Sequence, residues 1–246
     1  GKRWGAHVPL DVGYTMVGPT ILRRGGEDLK KEFLPRIING EIEFCLGYTE
    51  PNAGSDLAAM GMRAIDKGDH FVINGMKTFN TECHYSEYHW LAARTDANPD
   101  NPKYKGISLF VVDMDSPGIT IRPLWTMSGE RTNEVYYEDV KVPKSRMVGE
   151  ENKGFYYMME ALGSERNQVF VPGRLIPILE DLIQYVKETE FQGELLSKDP
   201  LIRDKLAQAS IELEVATVLA DHSRWLESND LPITYQAEIT KVFTSE

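Results

Sequence analysis

Cysteine is scarce in this sequence, with Cys45 and Cys83 the two thiols among 246 residues. Two cysteines this far apart exclude a disulfide framework and fit a reducing compartment. Long apolar runs are absent as well: no stretch approaches the roughly 20 residues needed to cross a bilayer as a helix. The five histidines fall outside HExxH and Cys/His ligand spacings, so no metal site is expected. Positive charge is in deficit, leaving a formal net charge of -11. That balance argues against nucleic acid or an anionic membrane as the main partner. A large anionic ligand would need a local cationic patch. No signal or transit pattern, internal repeat or low-complexity run is visible.

What is present is an ordinary globular composition, 41% apolar, with enough chain for one large domain or two smaller ones. The hydrophobic period changes twice. In the first region Gly25-Gly26-Glu27-Asp28 opens a helix with Leu29, Phe33, Leu34 and Ile37 as its buried stripe. Pro35 reads as a break and Asn39-Gly40 as a turn. From residue 42 to about 142 the period is two. Segments 60–65 and 70–73 read as a hairpin about Lys67-Gly68, and Asn74-Gly75 as a hairpin turn feeding a strand over 76–79. Further strands are expected at 88–94, 107–114, 119–125 and 134–142, with a surface loop at 96–105. Strands this close together imply an antiparallel sandwich or barrel.

After Pro143 the period returns to 3.6. One helix is expected from 151 to about 188, kinked or split at Pro172 and Pro177. Asp199-Pro200 caps the next, whose apolar positions include Ile202, Leu206, Ile211, Val215, Val218 and Leu219. Residues 228–230 end it, and another helix starts near Ile233. The expected class is α+β and multidomain: a helical segment over 1–41, a β domain over 42–149 and a helical-bundle segment over 150–246. The chain begins at Gly1 without Met, and residues 241–246 read as mid-helix, so an internal piece of a longer protein is expected.

The stretch that organises the chain is Phe44-Cys45-Leu46-Gly47-Tyr48-Thr49-Glu50-Pro51-Asn52-Ala53-Gly54-Ser55-Asp56. A short apolar strand runs into a small-residue loop whose hydroxyls and free N–H groups could cradle a phosphate or a polar ring edge. The whole string resembles the flavin-binding signature of the acyl-CoA dehydrogenase family. Gly26-Glu27-Asp28-Leu29-Lys30-Lys31-Glu32-Phe33-Leu34-Pro35 and Thr132-Asn133-Glu134-Val135-Tyr136-Tyr137-Glu138-Asp139-Val140 resemble the same family, in the same order. The resemblance covers nearly the whole chain and implies the end of an N-terminal helical domain, a β domain and the start of a C-terminal helical domain.

It also implies site residues. Leu46, Gly47, Tyr48 and Thr49 become neighbours of an FAD, with Ser55 close to its phosphates and to the thioester end of an acyl-CoA substrate. Relatives carry an aromatic residue two places before a Thr, shielding the flavin. Here that segment is Phe79-Asn80-Thr81, with Phe in place of the commoner Trp. Glu165 matches the position at which a minority of relatives place the base that removes the substrate α-proton. Most place it nearer the C-terminus, beyond residue 246. Arg166 matches a residue near the CoA chain. One segment departs from the pattern: where relatives have Arg-Lys-Thr-Phe-Gly reaching a neighbouring subunit's FAD, this chain has Thr189-Glu190-Phe191-Gln192-Gly193. A charge-assisted phosphate contact is lost there.

The implied reaction is desaturation of an acyl-CoA between its α and β carbons. A carboxylate takes the α-proton, flavin N5 takes the β-hydride, and an electron-transfer flavoprotein accepts the electrons. Two alternatives stay open: a non-catalytic subunit of the same fold whose sites a partner completes, and an acyl-CoA oxidase. Relatives are homo- or hetero-oligomers, and the implied location is a bacterial cytoplasm or a mitochondrial matrix.

Overall fold

The structure is a computed structural model that describes residues 12–166, 170–229, 231 and 235–245. It divides into two compact units, Gly1–Ala161 and Leu162–Glu246. The described part of the first begins with a π-helical turn, Gly13–Val17, running into α1 (Gly18–Arg24), followed by α2 (Glu27–Ile38). Of the expected stripe of α2, Leu29, Phe33 and Ile37 are buried and Leu34 is half-buried at its edge. Pro35 does not break this helix. It sits inside the last turn, where its carbonyl still accepts the Asn39 N–H at 3.0 Å, and the helix runs on to Ile38. Asn39-Gly40 then closes it, with Gly40 at φ +66 and its N–H on the Ile37 carbonyl.

Eight strands follow: β1 (Phe44–Gly47), β2 (Arg63–Asp66), β3 (His70–Lys77), β4 (Tyr88–Arg94), β5 (Ile107–Asp113), β6 (Ile119–Trp125), β7 (Arg131–Pro143) and β8 (Met147–Val148). They form one sheet in the order β6-β7-β3-β2-β4-β5-β8, with β1 also on β4. Most pairs are antiparallel, but β1 and β2 both run parallel to β4. The sheet curls around its core. β3 and β5 are three strand positions apart, about 14 Å on a flat sheet, yet the rings of Phe71 and Phe110 stand 5.1 Å apart. That core joins Met62, Ile73, Leu91, Val112, Val135 and Val142 from strands and segments all along the sheet.

Asn74-Gly75 is no hairpin turn but lies opposite a β-bulge in β7, where Glu138 and Asp139 together face the single residue Asn74. β3 continues through Asn74-Gly75, pairing with β7 on either side, and the register shifts between Ile73 and Gly75. The Asn74 side chain holds the shift: Nδ2 donates to Asp139 Oδ1, and Oδ1 accepts the Asp139 N–H, each at 2.9 Å. Asp139 has φ +52, so the local chemistry that favours a turn serves a cross-strand irregularity instead. Gly75 is required here, since a Cβ would stand 2.9 Å from Met62 Cγ.

α3 (Gly154–Arg166) begins in the first unit and ends in the second. The second unit holds α4 (Phe170–Glu188), a hairpin of β9 (Glu190–Phe191) and β10 (Glu194–Leu195), α5 (Pro200–Ser228) and α6 (Tyr235–Ser245). Within the stretch expected as one long helix, 167–169 lie outside the described residues, and α4 runs unbroken through both Pro172 and Pro177. Asp199 caps α5, its Oδ1 accepting the Leu201 N–H at 2.8 Å. Of the apolar positions named for α5, Ile202, Leu206 and Leu219 are half-buried. Ile202, Leu206, Ala209, Leu213, Ala216, Ala220 and Ser223 face inward at alternating steps of four and three. Ile211, Val215 and Val218 are exposed, because α5 is apolar on two faces and spacing alone does not choose between them. The start expected near Ile233 lies outside the described residues. No helix among the described residues is long and apolar enough to cross a membrane.

Candidate functional site

Two chain segments meet where β1 and β3 leave the sheet. The Thr78 N–H donates to the Thr49 carbonyl at 2.9 Å, setting the end of the Phe44–Gly47 strand beside the start of Phe79-Asn80-Thr81. Along the first segment Leu46 and Thr49 are half-buried, Gly47 and Tyr48 are buried and Ser55 is exposed. The Tyr48 side chain turns inward, where its hydroxyl accepts the Trp90 Nε1–H at 2.9 Å and burial raises its pKa. Tyr48 can therefore offer a ligand its backbone and not its phenol.

In the second segment Phe79 adopts φ +58, a left-handed conformation costly for a non-glycine residue, and the residue is 62% exposed. Two flanking tethers hold it there. The Asn80 N–H donates to the Asn133 carbonyl at 2.9 Å, and Asn133 Nδ2 returns a bond to the Asn80 carbonyl at 2.9 Å. Asn80 Nδ2 donates to Thr78 O, which leaves Oδ1 as a buried oxygen without a partner. Thr81 is exposed, and its Oγ1 lies 3.5 Å from Thr132 Oγ1. An open cleft of about 370 Å³ begins at Thr81 and runs past His84, Tyr85 and Arg131.

Beneath the first segment lie two groups whose roles were not foreseen. Lys77 is fully buried, its Nζ donating to Tyr48 O at 3.1 Å and to Glu50 Oε1 at 2.8 Å. Burial pulls its pKa down to about 8, against the opposing pull of the Glu50 carboxylate. Glu50 also accepts the N–H groups of Gly61 at 2.6 Å and Met62 at 3.0 Å. The signal was available in the strand's parity: Lys77 shares the face of Phe71 and Ile73. His89 is also fully buried, with Nδ1 2.7 Å from the Tyr137 hydroxyl and Nε2 facing the Leu46–Gly47 backbone without a hydrogen bond of normal geometry. Burial lowers its pKa to about 3, so it is a neutral imidazole. Arg94 ties the returning loop down, donating from Nε to Met60 O at 3.0 Å and from Nη2 to Ala58 O at 2.7 Å.

Glu165 and Arg166 lie on α3, and their side chains lie outside the described residues. The 189–193 segment forms a tight hairpin: Glu190 pairs with Leu195 and Phe191 with Glu194, and Gln192 and Gly193 both have positive φ. No group of three or more potential metal ligands occurs among the described residues.

Comparison with known proteins bears on the family and the fold. The family described as "Acyl-CoA dehydrogenase, middle domain" matches residues 45–140, and "Acyl-CoA dehydrogenase, C-terminal domain" matches 152–246. Acyl-CoA dehydrogenase FadE29 of Mycobacterium tuberculosis (strain ATCC 25618 / H37Rv) is 37% identical over 246 residues, covering 98% of this chain and 62% of the relative. Among solved structures, the Tcur3481-Tcur3483 steroid ACAD superposes with a TM-score of 0.86 at 37% identity, over 95% of this chain and 59% of that one. The ChsE4-ChsE5 complex from Mycobacterium tuberculosis does so with a TM-score of 0.86 at 34% identity, over 98% and 62%. This chain therefore spans about three fifths of the length of these relatives. Its sheet, its two apposed signature segments and both family matches establish that the chain belongs to the acyl-CoA dehydrogenase family.

Proposed function

We propose that the protein desaturates an acyl-CoA thioester between its α and β carbons with a bound FAD. The observation that carries this is the Thr49–Thr78 junction, which sets two hydroxyl-bearing segments side by side with an exposed aromatic residue held in a strained backbone. These residues fit a flavin. Phe79 offers an apolar face to a flat conjugated ring, and Thr49, Ser55 and Thr81 offer hydroxyls and amides at its edge. Leu46 and Gly47 add apolar and backbone contact along the same edge. When bound, FAD supplies the two-electron acceptor for the hydrogen leaving the β carbon.

The chain's own residues do the rest. Glu165 acts as the base that takes the α-proton, next to Arg166 at the CoA chain, unless the complete protein carries the carboxylate beyond residue 246. Buried against an acyl chain, a Glu gains a raised pKa and becomes a better base near neutrality. The test is Glu165→Gln in the full-length protein, reduced anaerobically by acyl-CoA. Flavin content should persist while the reduction rate falls by about 10²-fold or more, the scale for loss of a general base. An unchanged rate removes Glu165 from the mechanism. A substrate panel should include steroid acyl-CoA thioesters, given the steroid enzyme among the similar structures. An electron-transfer flavoprotein is the proposed acceptor, and peroxide release in air would point to an oxidase instead.

A second reading is favoured by the 189–193 hairpin, which carries Glu190 where relatives place cationic residues. In this reading the chain is one subunit of a hetero-oligomer, and a different chain completes the flavin site. Two similar structures bear the names of two subunits, Tcur3481-Tcur3483 and ChsE4-ChsE5. Its test is stoichiometry: one FAD per two unlike chains supports it, and one FAD per chain in a homo-oligomer overturns it.

A further inference from the structure

Residues 48–62 form an excursion from the sheet that carries both Thr49 and Ser55, and one buried ion pair grips it at both ends. At the near end Lys77 Nζ donates to the Tyr48 carbonyl and the Glu50 carboxylate. At the far end the same carboxylate accepts the Gly61 and Met62 N–H groups, while Met60 Sδ lies 3.9 Å from Nζ. Lys77 is fully buried and Glu50 9% exposed, so water does not loosen the contact. A buried ion pair adds little net stability over well-packed apolar residues of similar volume, but it fixes geometry closely. Fixed geometry is what a loop of hydroxyls and amides needs in order to hold a polar ligand.

We propose that Lys77 and Glu50 are positioning residues, a clamp that pins both ends of the 48–62 excursion and so sets the spacing of Thr49 and Ser55 at the flavin. The clamp rests on the flavin reading above and extends it to residues that touch neither substrate nor reacting atoms. Lys77 supplies the link to the sheet, because β3 is held along its length by β7. Glu50 supplies the link across the excursion. Each is ineffective without the other, so their removal should not be additive.

The experiment titrates FAD into deflavinated full-length protein, with its partner subunit if it has one, and follows flavin fluorescence and visible absorbance. The variants are Lys77→Met, Glu50→Gln and the double variant Lys77→Met/Glu50→Leu, whose apolar pair keeps the volume filled. Lys144→Met, which removes an exposed ion pair to Asp66 in the same unit, is the control. Each clamp variant should raise the FAD Kd by about tenfold or more, the scale on which loss of an orienting outer partner weakens a bound group. The vibronic structure of the flavin band should blur, and the double variant should bind no worse than the weaker single. Should Lys77→Met fail to fold by circular dichroism, Glu50→Gln decides, since it keeps the shape and an oxygen for the amides. Folded clamp variants with the wild-type Kd and band shape overturn the clamp alone. A wild type that binds no FAD overturns the flavin reading and the clamp together.

Discussion

The imidazole of His89 occupies the space that a side chain on Gly47 would need. A Cβ built on Gly47 would stand 2.3 Å from His89 Nε2 and 2.7 Å from Cε1. The ring has little room to retreat, since it is fully buried and its Nδ1 is tied to the Tyr137 hydroxyl. The edge strand of the candidate flavin site thus runs directly over a neutral histidine.

Gly47→Ala should therefore destabilise the protein by about 1–3 kcal/mol, the usual range for forced overpacking. His89→Ala removes the obstacle, so the double variant should lose less than the sum of the two singles. Denaturant midpoints of the three variants measure this. Strict additivity would show that the ring and the strand do not compete for space.

His89 also sets a pH dependence. Its folded pKa is about 3, depressed by burial from an ordinary value of 6.5. Between those values the unfolded chain binds a proton that the folded one refuses, so stability is fully present above pH 6.5 and falls as the pH drops toward 3. The slope approaches about 1.4 kcal/mol per pH unit inside that window. His89→Gln cannot take up the proton, and the stability difference between wild type and variant should change with this slope from pH 6.5 to 4.5. Urea titrations at each pH give the difference, and a constant offset would exclude His89 as its source.

In the second unit, Asp199→Ala should cost about 1 kcal/mol through loss of a helix cap. Asp199 Oδ1 accepts the N–H groups of Leu201 at 2.8 Å and Ile202 at 3.4 Å, and the variant leaves both without that acceptor. Asp199→Asn should recover most of the loss, because the amide oxygen still accepts. Chemical denaturation followed by circular dichroism checks the pair.

Local signals proved readable where local physics governs. The Asp199-Pro200 cap, the α2 stripe of Leu29, Phe33 and Ile37, and the strand Ile119–Trp125 all follow from short-range pattern. Misreadings arose where a distant residue overruled a local preference. Asn74-Gly75 is a turn by composition, but Asp139, 65 residues further on, recruits the Asn74 side chain to a bulge in β7. Pro35 is a helix breaker by rule, but it falls so near the end of α2 that little of the helix remains to break. At the candidate site, the surface residues Thr49, Ser55, Phe79 and Thr81 came from a motif. Among the buried supports, strand parity turns Lys77 inward, but its pairing with Glu50 and the setting of His89 depend on contacts between segments that spacing along one strand does not encode.

β1 and β2 lie end to end along one edge of β4, with Gly47 opposite Leu91 and Arg63 opposite Arg94. The chain departs from that edge and rejoins it three β4 residues later, a gap of about 10 Å, after fifteen residues of detour. The sheet needs the two landing points, and the Lys77–Glu50 pair pins the detour next to each of them, so its middle, 51–59, is the part least tied to the sheet. Changing the length of that middle costs little in closure entropy. The middle of the detour is in effect a cartridge between two fixed clips, so its ligand chemistry can be rewritten while the clips and the sheet stay as they are.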